Sequence, residues 1–452
     1  MKAKILNIII GFLLSIFMLS SILILKKSNF NIFISPYSDL KVIFYLSLLS
    51  ILILTITLFF RNLTKLYILI IFISSILSIY LYEFYLVKFE LRYQSELKKN
   101  FQIKFKNPDH DWRTKYQVYV DEIDKGNDIA LKYIPSFFLN KEEEFALVGL
   151  SNSKTILCNE SGYYATFISD RYGFNNFDSK WDKFKKKSDW ALLGDSAAIG
   201  ECVFSKFNIA NQIEKNDKNL NVINLGNSGI GPIIKLAILK EYAELIKPKK
   251  IIWIYIEDND LIDIQNEKKY KFLTNYLDIN YSEKLIYRQE KIDRKIEKIV
   301  KPDIDIKKYS KKINYSLHTD KFNFKNFIKL KKLRSRFTGK NTYNIDFDTR
   351  YLDNKKILIE TWKAAVDLAN TWSGKIYFVY FPEYHVFPNV YHERSSEILK
   401  IAETIFHDVI DIKKEFLEKE DDKLQYFPYG IKNHFNEKGY EKISKIIYDK
   451  IK

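Results

Sequence analysis

Three long apolar runs occupy the first 87 residues of the chain, at residues 5–25, 42–60 and 66–82. A transmembrane helix needs about 20 apolar residues, and about 17 suffice at the lower limit. The pattern therefore predicts a membrane anchor of three helices over residues 1–87. A secretory signal peptide is the alternative for the first run, because two lysines precede it. The run is long and no small-residue cleavage site follows it, which favours an uncleaved anchor.

The lysines and arginines beside these runs bear on the orientation of the anchor. One side would hold four of them and the other side three: Lys2, Lys4, Arg61 and Lys65 against Lys26, Lys27 and Lys41. Since positive residues concentrate on the cytoplasmic side, this excess favours a cytoplasmic N-terminus. Three spans would then place residue 88 onward outside the cytoplasm, as in a protein of a bacterial inner or cell membrane. If one run does not span, the orientation reverses.

From residue 151 onward, short apolar runs alternate with patterns of helical period. The runs predict five strands, at residues 190–193, 220–225, 251–256, 376–381 and 409–412. Amphipathic patterns predict helices between them, for example at 232–246 and 357–372. Strands separated by helices indicate a parallel sheet with helices on both faces, which binds ligands at the carboxyl ends of its strands. We therefore expect an α/β domain over residues 151–452.

Two segments depart from this alternation. Residues 88–150 are mixed and charged, and we predict a stalk or small cap region there. Residues 265–345 are rich in lysine, tyrosine and asparagine, and they predict a Lys-rich insertion between the third and fourth strands. Its basic stretch 329–336 is suited to phospholipid headgroups or an acidic glycan, although a solvated surface is the simpler interpretation.

Composition and charge exclude few classes of function. The chain of 452 residues has a formal net charge of +16 and a pI of about 9.2. A basic chain can bind nucleic acid, but no nucleic-acid motif is present, and we expect no nucleic-acid partner. The sequence offers no His and Cys cluster at ligand spacing and no phosphate-binding glycine loop, so we expect no metal and no cofactor. Asp258 and Asp260 could hold a cation, but capping of the turn after the strand is the simpler role.

The chain has two cysteines, Cys158 and Cys202, and they are too few for a zinc site by themselves. In an exported domain they could form a disulfide. A loop of this size would gain roughly 4 kcal/mol from the bond in the chain-entropy model. Two unrelated buried thiols are the alternative.

Four polar motifs follow predicted strands or precede the last helix. The first, Gly194-Asp195-Ser196, comes directly after the first predicted strand. A serine at such a turn projects its hydroxyl above the sheet edge, beside helix amides that bind developing negative charge. The other motifs are residues 224–232, residues 255–261 with Asn259, and residues 434–440 with His434. This layout is typical of a nucleophilic hydrolase or acyl transferase.

Taken in this order, the four motifs resemble the blocks of the SGNH (GDSL) hydrolase superfamily. The resemblance covers about residues 155–450 and implies a flavodoxin-like α/β/α sandwich with a parallel sheet. By the same resemblance, Ser196 would be the nucleophile and His434 the general base. The N–H groups of Ser196 and Gly229 and the side-chain amide of Asn259 would form the oxyanion hole. A serine hydroxyl needs a base within hydrogen-bond reach, and histidine, with a pKa of about 6.5, suits that role.

One position departs from the family's pattern. SGNH hydrolases place an aspartate three residues before the histidine, where this chain has Ile431. The third member of the triad is therefore missing from its usual place. A backbone carbonyl or an acid elsewhere in the chain would have to orient His434, with Asp421 and Asp422 as candidates.

A further segment precedes the first motif. Residues 159–176 resemble the Gly-Phe-Arg/Asn segment of SGNH-like proteins of bacterial polysaccharide modification, such as alginate acetylation proteins. By this resemblance Arg171 and Asn175, together with Asp195, are possible substrate-binding residues for sugar hydroxyls or carboxylates. The alternative is a structured turn that packs its aromatic residues into the core.

The sequence therefore predicts a membrane-anchored serine esterase or O-acyltransferase that acts on an exported or cell-surface glycan through an acyl-enzyme on Ser196. Its catalytic domain would be extracytoplasmic. As a transferase it would need a membrane partner protein to deliver acyl groups, because three spans are few for moving an acyl donor. Two alternatives stay open. One is a non-catalytic glycan-binding or assembly protein on the same scaffold, suggested by Ile431, and the other is a membrane-associated lipase, suggested by the anchor and the basic insertion.

Overall fold

A computed structural model of the chain describes residues 2–27, 38–104, 109–183, 190–303, 324–328, 330, 333, 342–382, 395–430 and 434–452. The chain forms two compact units. The first comprises Met1–Lys104 and Tyr315–Thr342, and the second comprises Phe105–Asn314 and Tyr343–Lys452. All four predicted motifs belong to the second unit, and Ile431 lies outside the described residues.

The first unit begins with the apolar helices Lys2–Lys27, Ser38–Thr57 and Asn62–Lys104. Within the described residues, two segments are long and apolar enough to cross a membrane, Ala3–Lys26 and Asn62–Lys88. The apolar part of the middle helix, Phe44–Thr57, is shorter than a span. Many outward-facing leucine, isoleucine and phenylalanine side chains of these helices are exposed, which suits contact with lipid. These features support membrane association through two of the three predicted spans.

Part of the predicted insertion also belongs to the first unit. The helix Phe324–Ile328 packs on the third apolar helix through Phe327, whose ring centroid lies 5.5 Å from that of Tyr80. The insertion predicted at 265–345 is therefore divided, since its first part lies in the second unit. The basic residues of the stretch 329–336 lie outside the described part of the chain.

The described strands form two sheets in the second unit. They are β1 (Ile129–Leu131), β2 (Lys154–Ile156), β3 (Thr166–Ile168), β4 (Trp190–Leu193), β5 (Val222–Asn224), β6 (Lys250–Ile256), β7 (Lys375–Phe381) and β8 (Asp408–Asp411). In the smaller sheet, β2 pairs parallel with β1 and antiparallel with β3. In the larger sheet all pairs are parallel, and the order is β5-β4-β6-β7-β8. This is the flavodoxin-like order of a doubly wound sheet.

Both faces of the larger sheet are buried, which is why its strands appear in the sequence as continuous apolar runs. In β4, Ala191 and Leu193 belong to one hydrophobic core, while Trp190 and Leu192 belong to another. Successive side chains of a strand point to opposite faces, so the two cores lie on the two sides of the sheet. The α/β architecture with a parallel five-stranded sheet is confirmed, and the five predicted strands are found with ends that differ by at most two residues.

Helices connect the strands of the second unit and supply the outer layers. The described α-helices are Lys115–Asp124, Lys180–Lys183, Ser196–Ile199, Ile209–Asn216, Pro232–Ile238, Glu244–Ile246, Glu257–Glu267, Lys271–Thr274, Gln289–Val300, Thr342–Asn370, Ser395–Ile405, Ile412–Glu415 and Glu437–Ile451. Short 3₁₀ helices cover Pro135–Phe138, Glu142–Glu144, Ser205–Phe207, Asn275–Leu277, Leu285–Tyr287, Leu417–Lys419, Lys423–Tyr426 and Pro428–Gly430. The helix predicted at 232–246 is confirmed, with a π-helical segment at Leu239–Ala243.

The segment between the apolar helices and the larger sheet is more than a stalk. Its helix Lys115–Asp124 begins with a capping box, in which Thr114 and Gln117 exchange side-chain and backbone hydrogen bonds. Val118 of this helix packs with residues of β1 and β2 in a small core of its own. Most of the region predicted as a stalk or cap, residues 88–150, is therefore part of the unit that contains the larger sheet.

Asp170 fixes the loop that leads into β4. It is fully buried, and its carboxylate accepts four hydrogen bonds of 2.8–3.0 Å. The donors are the backbone N–H groups of Tyr172 and Phe174, the side-chain amide of Asn176 and the indole N–H of Trp181. One carboxylate thus satisfies four donors that would otherwise be unpaired in the core.

We expect Asp170→Ala to lower the free energy of unfolding by at least about 3 kcal/mol, because each buried donor left unpaired costs about 1–3 kcal/mol. Urea unfolding of the full-length protein in detergent, followed by tryptophan fluorescence, measures the change. Asp367→Ala is the matched control, since Asp367 is exposed on a helix, and it should stay within about 0.5 kcal/mol of the wild type. Equal stabilities of the two variants would contradict the assigned role of Asp170.

Candidate active site

The Gly-Asp-Ser motif lies at the carboxyl end of β4, and Ser196 begins the short buried helix Ser196–Ile199. Gly194 is required at this turn, because a Cβ there would lie 2.8 Å from the Cβ of Ile254 in β6. The close approach of the two strand ends therefore sets the position of Ser196. This is the edge of the sheet at which such folds bind their ligands.

Ser196 is only 8% exposed, yet its hydroxyl is not among the buried side-chain atoms that lack a hydrogen-bond partner. Within the described residues, this hydroxyl makes no hydrogen bond. The expected hydrogen bond to His434 is therefore not formed in this structure. A reachable serine hydroxyl without an internal partner is available to a ligand.

The two other predicted oxyanion-hole residues lie together beside Ser196, but both contact Asp195. The backbone N–H of Gly229 donates to Asp195 Oδ1 at 2.5 Å, and Asn259 Nδ2 donates to Asp195 Oδ2 at 3.2 Å. Gly229 has a φ of 69°, which favours glycine, and a Cβ there would lie 2.5 Å from a methyl carbon of Ile134. The Gly229 N–H and the Asn259 amide, both predicted oxyanion-hole donors, therefore point to the same place, and the Asp195 carboxylate occupies it.

A buried ion pair holds the turn that carries Asn259. Asn259 lies in the first turn of the helix Glu257–Glu267, just after β6. Asp260 Oδ1 lies 2.5 Å from Lys235 Nζ, and neither side chain is exposed. Burial raises the pKa of Asp260 to about 6, although the Lys235 charge opposes that rise. The Asp260 carboxylate is thus paired with the Lys235 ammonium and not with a metal ion. The side chain of Asp258 lies outside the described residues.

The carboxylate that contacts the His434 ring is that of Glu160, on the loop after β2. His434 Nδ1 lies 2.8 Å from Glu160 Oε1, and the backbone N–H of His434 donates to Glu160 Oε2 at 3.1 Å. The predicted candidates do not take this place: Asp422 accepts the backbone N–H of Leu424 at a helix start. Sequence reasoning missed Glu160, although it stands two residues after Cys158.

The pKa of His434 reflects two opposed effects. Burial by itself lowers this pKa, and so does the charge of Lys132. The hydrogen bond and charge of Glu160, with the charge of Glu201, outweigh them and raise the pKa above 6.5. A histidine of this kind is set up to accept and hold a proton at neutral pH.

A second group of polar side chains joins the histidine to the Gly-Asp-Ser turn. The Glu201 carboxylate contacts Lys132 Nζ and Ser228 Oγ, and Ser228 directly precedes Gly229. Burial opposes ionisation of Glu201, but the charges of Lys132 and His434 prevail and lower its pKa to about 2. His434 and the Gly-Asp-Ser turn therefore both border the cluster formed by Lys132, Glu201 and Ser228.

Tyr440 provides a further link between the two sides. Its side chain is fully buried, and burial raises the pKa of its hydroxyl. The carboxylates of Glu201, Glu160 and Asp195 raise that pKa further, so all three lie near this ring. Glu160, which holds the histidine, and Asp195, which precedes the serine, thus converge on one tyrosine.

Cys158 and Cys202 form a disulfide with a Cα–Cα distance of 4.8 Å. Cys158 precedes Glu160 by two residues, and Cys202 directly follows Glu201. The bond therefore ties the acid loop to the segment after the Ser196 helix. The two sulfurs and a Glu160 oxygen lie within 4.8 Å of one another, but bonded sulfurs are not thiolate ligands for a metal.

The two predicted substrate-binding residues of the 159–176 segment are engaged within the protein. Arg171 forms two hydrogen bonds with Asp178 and an ion pair with Asp182 at 3.0 Å. Asn175 is buried, and its side chain donates to the carbonyl of Ile199 at 2.9 Å. These contacts fit the alternative of a structured turn, and Asn175 supports the end of the helix that begins at Ser196.

No protein-family model matches this chain, and a search of curated proteins finds no match to it.

We expect Glu160→Gln to lower the pKa of His434, because only the charge of Glu201 would then oppose the effects of burial and Lys132. An NMR titration of the full-length protein with labelled histidine measures this pKa. The folded-state pKa of the wild-type histidine is raised, so the pair adds stability below the unfolded pKa and loses it as pH rises. Glu160→Gln should therefore lose more free energy of unfolding at about pH 5.5 than at about pH 8.5.

Glu403→Gln is the control for this experiment, since Glu403 is exposed on the helix Ser395–Ile405. It should leave the His434 titration unchanged. A His434 pKa that is the same in wild type and in Glu160→Gln would show that the carboxylate does not set the charge of the ring.

Proposed function

We propose that this chain is a membrane-anchored serine esterase or O-acyltransferase of SGNH type, with Ser196 as nucleophile and His434 as general base. The observation that carries the proposal is the Glu160–His434 pair, which borders the same polar cluster as the Gly-Asp-Ser turn. Glu160 supplies the acid that is missing at Ile431. The resemblance of residues 159–176 to proteins of bacterial polysaccharide modification points to an exported or cell-surface glycan as the substrate.

In the first step, His434 would act through Nε2, because Nδ1 is held by Glu160. Nε2 accepts the Ser196 proton as Oγ attacks the acyl carbon, and the carboxylate stabilises the imidazolium that forms. For this the Ser196 hydroxyl turns toward the ring. The imidazolium then protonates the leaving sugar oxygen as the ester C–O bond breaks, which leaves the acyl group on Ser196.

In the second step, water or a sugar hydroxyl attacks the acyl-enzyme while Nε2 takes its proton. Water gives hydrolysis, and a sugar hydroxyl gives transfer. A transferase would receive its acyl groups from a membrane partner protein, since two candidate spans are few for moving an acyl donor. Neither step needs a metal or a cofactor.

The oxyanion of each step needs hydrogen-bond donors, and Asp195 competes for them. Asn259 has two amide hydrogens, of which Asp195 takes one, so the other is available. The Gly229 N–H reaches an oxyanion only when the Asp195 carboxylate turns away. Each such donor lowers the barrier by about 2.7–4 kcal/mol, so this rotation would accompany substrate binding in an active enzyme.

The same contact favours a second candidate, a non-catalytic glycan-binding protein. In that function Asp195 keeps the Gly229 N–H and the Asn259 amide, and the Ser196 hydroxyl only binds a sugar hydroxyl. The two candidates differ in one respect, namely whether an acyl group is ever attached to Ser196.

An extracytoplasmic location follows from the disulfide in this proposal, because such bonds persist in oxidising compartments. With two spans, this location requires the N-terminus to lie on the same side as the second unit. With three spans, the N-terminus would be cytoplasmic, as the flanking lysines and arginines favour.

We expect Ser196→Ala to lower acetate release from p-nitrophenyl acetate by about 10³-fold or more, since removal of a serine nucleophile abolishes the acyl-enzyme route. The full-length protein in detergent is assayed by p-nitrophenol absorbance, with fluorophosphonate labelling as a second readout. Ser282→Ala is the control, because that hydroxyl contacts Glu241 on another segment. Wild-type rates in Ser196→Ala would reject the nucleophile, and absence of any hydrolysis in a folded wild type would favour the glycan-binding candidate.

Hydrolysis and transfer are separated by the same assay with an oligosaccharide acceptor. A transferase releases the nitrophenol faster when the acceptor is present and yields an acetylated sugar, which mass spectrometry detects. An esterase yields free acetate at the same rate in both conditions.

A further inference from the structure

Trp112 is a large aromatic residue that stays exposed in the second unit. It is 58% exposed, although a tryptophan side chain gains more from burial than almost any other. Within the described residues, its indole N–H makes no hydrogen bond and is available to a ligand. A single exposed aromatic residue is common on a protein surface and needs no explanation by itself. Trp112 differs in the support behind its ring and in its position.

The ring of Trp112 is held by two other side chains. It packs against the His110 imidazole, with 4.0 Å between the ring centroids. His110 Nδ1 in turn lies 2.9 Å from the Tyr429 hydroxyl. His110, Trp112 and Tyr429 form what we call the aromatic platform. Because its rings already support one another, a ligand that packs on Trp112 pays little for ordering that side chain.

The aromatic platform is joined to the segments that carry both members of the acid–histidine pair. The backbone N–H of Asp111, between His110 and Trp112, donates to the carbonyl of Gly162 at 2.8 Å, and Gly162 stands two residues after Glu160. Gly162 has a φ of 96°, and a Cβ there would collide with the hydroxyl of the platform tyrosine. That tyrosine precedes the catalytic histidine by five residues. Since two residues span at most about 7 Å, the platform lies beside the Glu160 loop.

Two charged residues flank Trp112 in the chain, and they form a pair. The Arg113 guanidinium donates to both oxygens of the Asp111 carboxylate, at 2.9 and 2.6 Å. The Arg113 side chain is 41% exposed, so a ligand can also contact it. A pyranose ring has a face of C–H groups and an edge of hydroxyls, which suit an aromatic face and a neighbouring charged pair. These surroundings fit a sugar ring better than an apolar ligand such as a lipid chain.

We propose that the aromatic platform is a subsite that stacks one sugar ring of the glycan on Trp112. The inference rests on the proposed function and narrows its substrate class to oligosaccharides and polysaccharides. Within the described residues, Trp112 makes no ring contact with His434, so the stacked sugar is a different unit from the one whose ester Ser196 attacks. The platform thus supplies affinity for the chain and takes no part in the chemistry.

The test measures how the rate depends on glycan length. Partially O-acetylated tetrasaccharides of glucose, N-acetylglucosamine and mannuronate are each compared with the acetylated methyl glycoside of the same sugar. In the series that the full-length protein in detergent hydrolyses fastest, we expect kcat/KM to be about tenfold higher for the tetrasaccharide. Trp112→Ala should remove this advantage, since truncation of a central aromatic contact costs about tenfold or more in affinity. Rates with the methyl glycoside and with p-nitrophenyl acetate should stay within about twofold.

Two further variants complete the design. Trp112→Phe keeps an aromatic ring on His110 and should retain most of the preference for the tetrasaccharide, which separates loss of stacking from loss of structure. Tyr287→Ala removes an aromatic side chain that is 80% exposed on the 3₁₀ helix Leu285–Tyr287, and it should change none of the rates. An equal loss for the tetrasaccharide and the methyl glycoside in Trp112→Ala would overturn the subsite while the esterase itself stands.

An exposed tryptophan also suits the interface between a membrane and water. If Trp112 serves that purpose, Trp112→Ala leaves the preference for the tetrasaccharide unchanged, and the subsite is overturned. A wild type that hydrolyses the tetrasaccharide and the methyl glycoside equally well overturns it too.

Binding decides the matter if the wild type hydrolyses none of the sugar esters, an outcome that counts against the proposed function and not against the subsite. The three tetrasaccharides without acetyl groups are then titrated into the full-length protein by calorimetry. Binding of at least one of them that weakens about tenfold in Trp112→Ala, but not in Tyr287→Ala, supports the subsite. Absence of binding, or equal affinities of the wild type and Trp112→Ala, overturns it.

Discussion

The proposed chemistry depends on one contact, the two-point hydrogen bond between Glu160 and His434. One carboxylate oxygen holds the imidazole, and the other holds the backbone N–H of the same residue. The ring and the loop that carries it are thus fixed together, although 274 positions separate the partners in the chain. Without this carboxylate, the ring would have burial and a neighbouring lysine against it, and its proton affinity would fall. Orientation and basicity therefore have the same source.

The site has two electrostatic halves, and each is supported by a buried ion pair. On one side, the Lys235–Asp260 pair holds the turn that carries Asn259. On the other side, the Lys132–Glu201 pair lies near His434. Buried pairs of this kind contribute little net stability, because desolvation of both charges offsets their attraction. Their value here lies in position: each fixes a short segment at the carboxyl end of the sheet that apolar packing alone would leave less defined.

The core of the fold could be predicted because each buried parallel strand is a run of consecutive apolar residues. Strands such as β6 and β7 are apolar throughout, so their ends lie close to those predicted, and the polar motifs that follow them fall at one edge of the sheet. The helix at 232–246 was equally visible. These features are local in sequence, and local patterns suffice to find them.

The acid and the lysines of the site could not be predicted in this way. Glu160 and Lys132 come from a segment without strong periodicity, which contains the smaller sheet and the capped helix Lys115–Asp124. The only signal nearby was the cysteine two residues before Glu160, whose partner follows the serine motif. The partner of Arg171, Asp178, lies on the same loop, and it could be identified only from the folded turn.

The disulfide between Cys158 and Cys202 bears on when the folding of the candidate site can be completed. A thiol pair stays open in a reducing interior and closes only after the polypeptide has crossed into oxidising surroundings. Until then the loop that carries Glu160 lacks its covalent link to the segment that follows the Ser196 helix. In the proposed extracytoplasmic location, a newly made copy would therefore form this bond only after export, when the oxidising compartment closes it.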